Sequence, residues 1–180
     1  MFRSLSAALA LVLSPTPTPS APADAVGAVE TLVLPVEDII GEVESMDGTE
    51  SESKQGRQVT VAVTSDVLFA LDKWQLGAKA RQRLGQVAEK VEAEGAGGVV
   101  KIEGHTDDQG QDAYNVTLSR RRAQAVESVM RGLLSGAGVT LQAQGYGESR
   151  PKLPNMIDGR PVEKNRAKNR RVEIVFTAKQ

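Results

Sequence analysis

Between Gly104 and Gly110 the chain reads Gly-His-Thr-Asp-Asp-Gln-Gly, which sets its single histidine, His105, beside two adjacent carboxylates, Asp107 and Asp108. Such residues can hold a divalent cation or move protons. Their spacing matches no calcium or zinc loop. A lone histidine is more often a turn or core residue with its hydrogen bonds satisfied, and two neighbouring acids usually mark a solvated turn. Further on, Arg120, Arg121 and Arg122 stand in a row. A guanidinium fork matches a carboxylate bidentately. A nucleic-acid patch is the weaker reading of the three arginines, because the net charge is -1 and aromatic residues make up only 3% of the chain, too few for a base-stacking platform.

Other chemistries lack their residues. The chain has no cysteine, which excludes thiol nucleophiles, thiolate metal sites, disulfides and a lipidated N-terminal cysteine. No serine sits in a nucleophile elbow, and Gly145-Tyr146-Gly147 lacks the third glycine and the following helix of a dinucleotide loop. Two carboxylates roughly 5–10 Å apart could cleave sugars, but nothing selects such a pair. No residue set is arranged for proton transfer and nucleophilic attack. A wall hydrolase is therefore disfavoured, and the chain reads as non-enzymatic, with no cofactor and no metal.

The elements that position these groups follow from periodicity. Val59, Val61 and Val63 alternate as in a strand. Trp74 to Glu94 carries Leu76, Ala80, Leu84, Val87, Ala88 and Val91 at helical spacing, and Gly95, Gly97 and Gly98 end that helix with the left-handed cap that glycine tolerates. Val99 to Glu103 is a short strand. A second helix runs from an N-cap at Asn115 to about Ser135, Val139 to Gln144 is a strand, and residues 145–163 form a long loop. Val172, Ile174 and Phe176 alternate in a final strand. The order strand, helix, strand, helix, strand, strand gives an α/β sandwich with two main helices packed on a mixed sheet.

On the second helix Leu118, Arg122, Val126, Val129 and Leu133 share one face. Arg122 therefore sits on an apolar stripe. Either its stem packs while the head snorkels to water, or it needs a carboxylate, since leaving one partner of a buried ion pair alone costs about 3–5 kcal/mol.

Residues 1–23 hold Arg3, the apolar run Ser4 to Leu13 and then Pro15, Pro17 and Pro19. The run is shorter than the roughly 20 residues that span a bilayer, so it reads as a cleaved signal peptide. The mature chain is then exported to the cell envelope, periplasmic or cell-wall-associated, without a transmembrane anchor. Residues 24–56 hold nine acids and one base, whereas residues 57–180 hold 20 bases and 14 acids. That split suggests an acidic N-terminal arm with short strands, ending in a polar loop, followed by a moderately basic domain facing an anionic or carboxylate-bearing partner.

One family carries this set of residues. Gly104-His105-Thr106-Asp107, Gly110, Asn115, Leu118-Ser119 and Arg122-Ala123 stand at the spacings of the OmpA-like peptidoglycan-associated domain. Leu68 to Lys73, Gly145 to Pro151 and Asn169 to Glu173 resemble that domain's flanking motifs, so the resemblance covers about Arg57 to Thr177. It implies an OmpA-like βαβαββ domain over residues 57–180 that binds peptidoglycan through the diaminopimelate residue of the stem peptide. Asp107 would meet the ammonium and Arg122 the carboxylate, with Thr106, Asn115, Asp72 and Arg170 completing the pocket. Such a module would anchor an exported protein to the cell wall. The alternative is an interaction module for other envelope proteins that uses the acidic arm.

Overall fold

The computed structural model describes residues 41–180. The expected signal peptide and the first part of the acidic arm lie outside the described residues. Strands β1 (Gly41–Glu44), β2 (Glu50–Gln55) and β3 (Gln58–Thr64) run up and down into a one-turn helix α1 (Ser65–Leu68). Helix α2 (Ala78–Glu94), β4 (Gly98–His105), α3 (Asp112–Leu133) and β5 (Val139–Gly147) follow. A small hairpin of β6 (Met156–Ile157) and β7 (Arg160–Pro161) precedes α4 (Glu163–Asn169) and β8 (Arg171–Thr177).

The main sheet has the order β1-β2-β3-β8-β4-β5. Only β4 and β5 pair in parallel. A parallel pair needs a crossover, and α3 supplies it. The final strand β8 enters between β3 and β4, antiparallel to both. Its alternation explains this central place: Val172, Ile174 and Phe176 all point to one face and are buried. In register, Ile174 stands opposite Val61 on one side and Ile102 on the other, so three strands present one apolar row. Against that row pack Ala80, Leu84, Val87, Ala88 and Val91 of α2 and Ala123, Val126 and Met130 of α3. Each fully buried Val, Leu, Ile or Met among these contributes about 1.5–3 kcal/mol. Among the described residues no helix is long and apolar enough to cross a membrane.

Several elements differ from expectation. Helix α2 starts at Ala78, because residues 69 and 76 close an antiparallel bridge and Gly77 caps the helix in extended geometry. At the other end Gly95 is also extended, and the left-handed backbone comes only at Gly97 and Gly98. Helix α3 starts at Asp112, so Asn115 is inside the helix and buried, not its N-cap. Leu133 is exposed in the last turn, and Leu134 turns inward instead. Strand β4 extends through Gly104 and His105, which read as turn in sequence.

The polar segment Glu50–Gln55, expected as loop, is a strand because β3 offers it a full edge of backbone partners. Its acids, with those of β1, find bases elsewhere in the fold: Glu42 with Lys152, Glu44 with Lys168, Glu52 with Lys90. These are exposed pairs worth about 0–1 kcal/mol each, but they leave these acids of the expected arm occupied within the fold.

Candidate functional site

The position of α3 is set by two glycines on the sheet. A Cβ on Gly104 would run into the carbonyl of Ser119, and one on Gly145 would run into the backbone nitrogen of Arg120. Only glycine lets the helix lie this close to β4 and β5. Ser119 completes the contact by accepting from Gly147 N at 2.9 Å. The resulting depth carries Arg122, three residues further on, below the surface.

Arg122 is 5% exposed. Its Nε donates to the carbonyl of Lys73 at 3.0 Å, and its guanidinium lies 5.2 Å over the Phe69 ring. Among the described residues no carboxylate lies within ion-pair distance, and the Nε bond is the one side-chain hydrogen bond that Arg122 makes. Burial lowers its pKa from the ordinary arginine value, and the fields of Asp66 and Asp72 offset part of that. Asp72 sits one residue before Lys73, at a positive φ of 52°, a conformation that Asp tolerates better than most side chains. Arg122 thus holds the turn that presents Asp72.

Asp107, also 5% exposed, leaves the end of β4. Its Oδ1 accepts from Gln109 N at 3.1 Å and its Oδ2 from Arg170 Nη1 at 2.7 Å. Arg170 further donates to Glu163 at 2.9 Å and to Asp66 at 3.3 Å. Burial works against the Arg170 charge, but the hydrogen bonds to Asp107, Glu163 and Asp66 outweigh it and raise its pKa. Thr106 donates its backbone N–H to Gly147 O and its hydroxyl to the carbonyl of Asp107, both at 2.9 Å. The Asn115 amide donates to Glu148 at 2.7 Å and to Gln109 O at 3.1 Å, tying the loop to the helix.

These residues converge. Asp72, Thr106, Asp107, Asn115, Arg122 and Arg170 all line one open cleft of about 700 Å³, part of it open to solvent. All six positions named from the sequence are therefore neighbours in space.

The sequence reading missed Asp66 and Glu163, which also line the cleft. Glu163 carried a signal: Glu-Lys-Asn-Arg-Ala-Lys-Asn is a run of mostly good helix formers, and a helix there brings Glu163 and Arg170 together two turns apart. Asp66 carried none, since its role depends on how β3 meets β8. Asp108 points away from the cleft's cations and is gripped by Arg166 at 2.8 and 3.2 Å, a pair that fixes the 104–110 loop to α4. His105 faces the other side of the sheet.

Counting charges, four carboxylates (Asp66, Asp72, Asp107, Glu163) face two guanidiniums across the cleft. The surplus is negative, yet the cation with free donors is Arg122. The cleft thus offers acceptors to a cation and, at Arg122, donors to an anion.

Comparison with known proteins places the chain in a wider set. Residues 68–170 match the OmpA family. The chain is 47% identical over 77 residues to outer membrane porin F of Pseudomonas aeruginosa, covering 43% of this chain and 21% of the porin. It is 36% identical over 114 residues to the peptidoglycan-associated lipoprotein of Legionella pneumophila, covering 62% of this chain and 59% of that protein. The chain thus spans less than two thirds of the length of either relative. Among solved structures, the cell wall anchor of the T6SS from Pseudomonas aeruginosa shares the fold, with a TM-score of 0.59 and 24% identity over 73% of this chain and 89% of that one.

Proposed function

The chain belongs to the OmpA family, and we propose that its cleft binds peptidoglycan non-covalently by gripping the diaminopimelate residue of a stem peptide. Asp107, with Asp66 and Glu163 behind it, receives the ammonium, and Arg122 receives the carboxylate. Thr106, Asn115, Asp72 and Arg170 hold the two charged groups at their separation. The observation that carries this reading is Arg122: a buried guanidinium with unused donors, in a cleft whose other charges are mostly negative. A buried cation without an anionic partner is costly, and a ligand carboxylate relieves that cost while the surplus carboxylates take the ammonium.

The name of the Legionella relative supports the same partner. The role is attachment without catalysis, in the cell envelope, where one stem peptide gives modest affinity and many sites on a polymer give retention. The test is co-sedimentation of the full chain with purified sacculi. Asp107→Ala and Arg122→Ala should each leave the protein in the supernatant. Undiminished sedimentation of both variants rejects the cleft as the site.

A further inference from the structure

A second polar cluster lies on the sheet face turned away from the core. Ile102 points into the core, so by strand alternation Glu103 and His105 point the other way. Glu103 on β4 stands directly opposite Glu173 on β8, and two facing carboxylates repel each other. His105 is 1% exposed, stacked on Tyr146 at 5.5 Å between centroids, and neither of its ring nitrogens has a hydrogen-bond partner among the described residues. A neutral imidazole has one donor and one acceptor to satisfy, and each left buried and unpaired costs about 1–3 kcal/mol.

The spacing around that imidazole is slightly wider than that of metal ligands, a difference that small side-chain rotations close. His105 Nε2 lies 3.8 Å from Glu173 Oε2, too far for a hydrogen bond. Two ligands of one tetrahedral zinc, each about 2.0–2.2 Å from the ion, stand roughly 3.3–3.6 Å apart. One ligand atom each from Glu103, His105 and Glu173 lies within 4.8 Å of the other two. We propose that Glu103, His105 and Glu173 form a site for a divalent cation of the zinc type, with water as a fourth ligand. The ion gives His105 Nε2 a partner and relieves the repulsion between the two glutamates. It also ties β4 to β8 at the residue next to Thr106 and Asp107.

Two arginines oppose it and keep the affinity modest. Arg171 donates to Glu173 Oε1 at 2.7 Å, leaving Oε2 on the His105 side. Arg150 lies 3.7 Å over the Tyr146 ring and 4.0 Å from Glu103, with its side chain 58% exposed and free to swing out. The Tyr146 hydroxyl donates to Glu103 Oε1 at 3.5 Å.

The full chain, stripped with a chelator, is titrated with zinc chloride by calorimetry. One zinc per chain is expected, weakened about tenfold or more in Glu103→Gln and in Glu173→Gln, as ligand loss should cost at least as much as loss of an outer-shell partner. Arg150→Ala should tighten binding by removing the opposing charge. Circular dichroism checks that the variants are folded, and if Glu173→Gln is not, Glu103→Gln decides alone. No zinc bound at millimolar concentration, or unaltered affinity in the folded glutamine variants, overturns the proposal. Peptidoglycan does not enter the readout, so the outcome is independent of the cleft.

Discussion

Arg170 Nη1 donates to Asp107 Oδ2 at 2.7 Å, whereas Arg122, which lines the same cleft, makes no ion pair with that carboxylate. The two cations therefore have different roles. Arg170 bridges the three carboxylates of Asp66, Asp107 and Glu163, and Arg122 keeps donors available to the cleft.

Stability and binding should separate on this difference. Arg170→Ala leaves Asp66, Asp107 and Glu163 without their shared cation and should lower the unfolding free energy by about 1–3 kcal/mol. Arg122→Met replaces a guanidinium that burial already disfavours with an apolar side chain, and the desolvation it removes offsets the lost bond to the Lys73 carbonyl. In urea denaturation Arg122→Met should match or exceed the unaltered chain, while its sedimentation with sacculi is lost. Equal destabilisation by both changes would contradict the assignment.

Free ligands should discriminate the two halves of the cleft. Diaminopimelate has an ammonium and a carboxylate at each end, whereas lysine used with its α-amino and α-carboxyl groups blocked as amides offers a side-chain ammonium alone. Diaminopimelate is expected to release the protein from sacculi at concentrations where the blocked lysine does not, read by the fraction left in the pellet. Equal release by both would remove Arg122 from the recognition.

Gly104→Ala places a methyl group against the Ser119 carbonyl. Because the contact is backbone, it cannot be relieved by a rotamer change, and α3 must shift. We expect a loss of about 1–3 kcal/mol, the range for overpacking a tight contact, measured by urea denaturation. The folded fraction should also bind sacculi poorly, because the shift carries Arg122 with it.

The pH dependence of the metal-free chain should report on His105. Burial, aided by Arg171 and Arg150 and opposed by Glu173, holds its pKa down to about 4, against an ordinary 6.5. Between those values the unfolded chain binds a proton that the folded chain does not. The contribution to stability is therefore complete above about pH 6.5 and lost as the pH falls toward 4. In chelator, His105→Gln should flatten the fall in unfolding free energy over this window; an unchanged slope would assign the fall to other groups.

Much of the molecule is legible in the chain itself, because it depends on local spacing. Alternating Val59, Val61 and Val63 or Val172, Ile174 and Phe176 can bury one face only as strands, and the helical phase of α3 puts Arg122 among apolar neighbours whatever the rest of the fold does. The family resemblance, carried by the loop motif and by motifs on either side of it, named six residues that meet in one cleft. Helix ends were less legible: Asn115 reads as a cap by type but is drawn inside α3 to hold the 104–110 loop.

Tertiary structure decided which charges meet. Asp107 is 63 residues from the arginine that binds it, and no periodicity links β4 to the residue just before β8. The insertion of β8 between β3 and β4 does this, and the same insertion sets Glu103 opposite Glu173 beside an unsatisfied His105. Spacing along a chain fixes the face on which a side chain lies, but strand order fixes its neighbours across the sheet. Ion pairs over a few ångströms depend on the second.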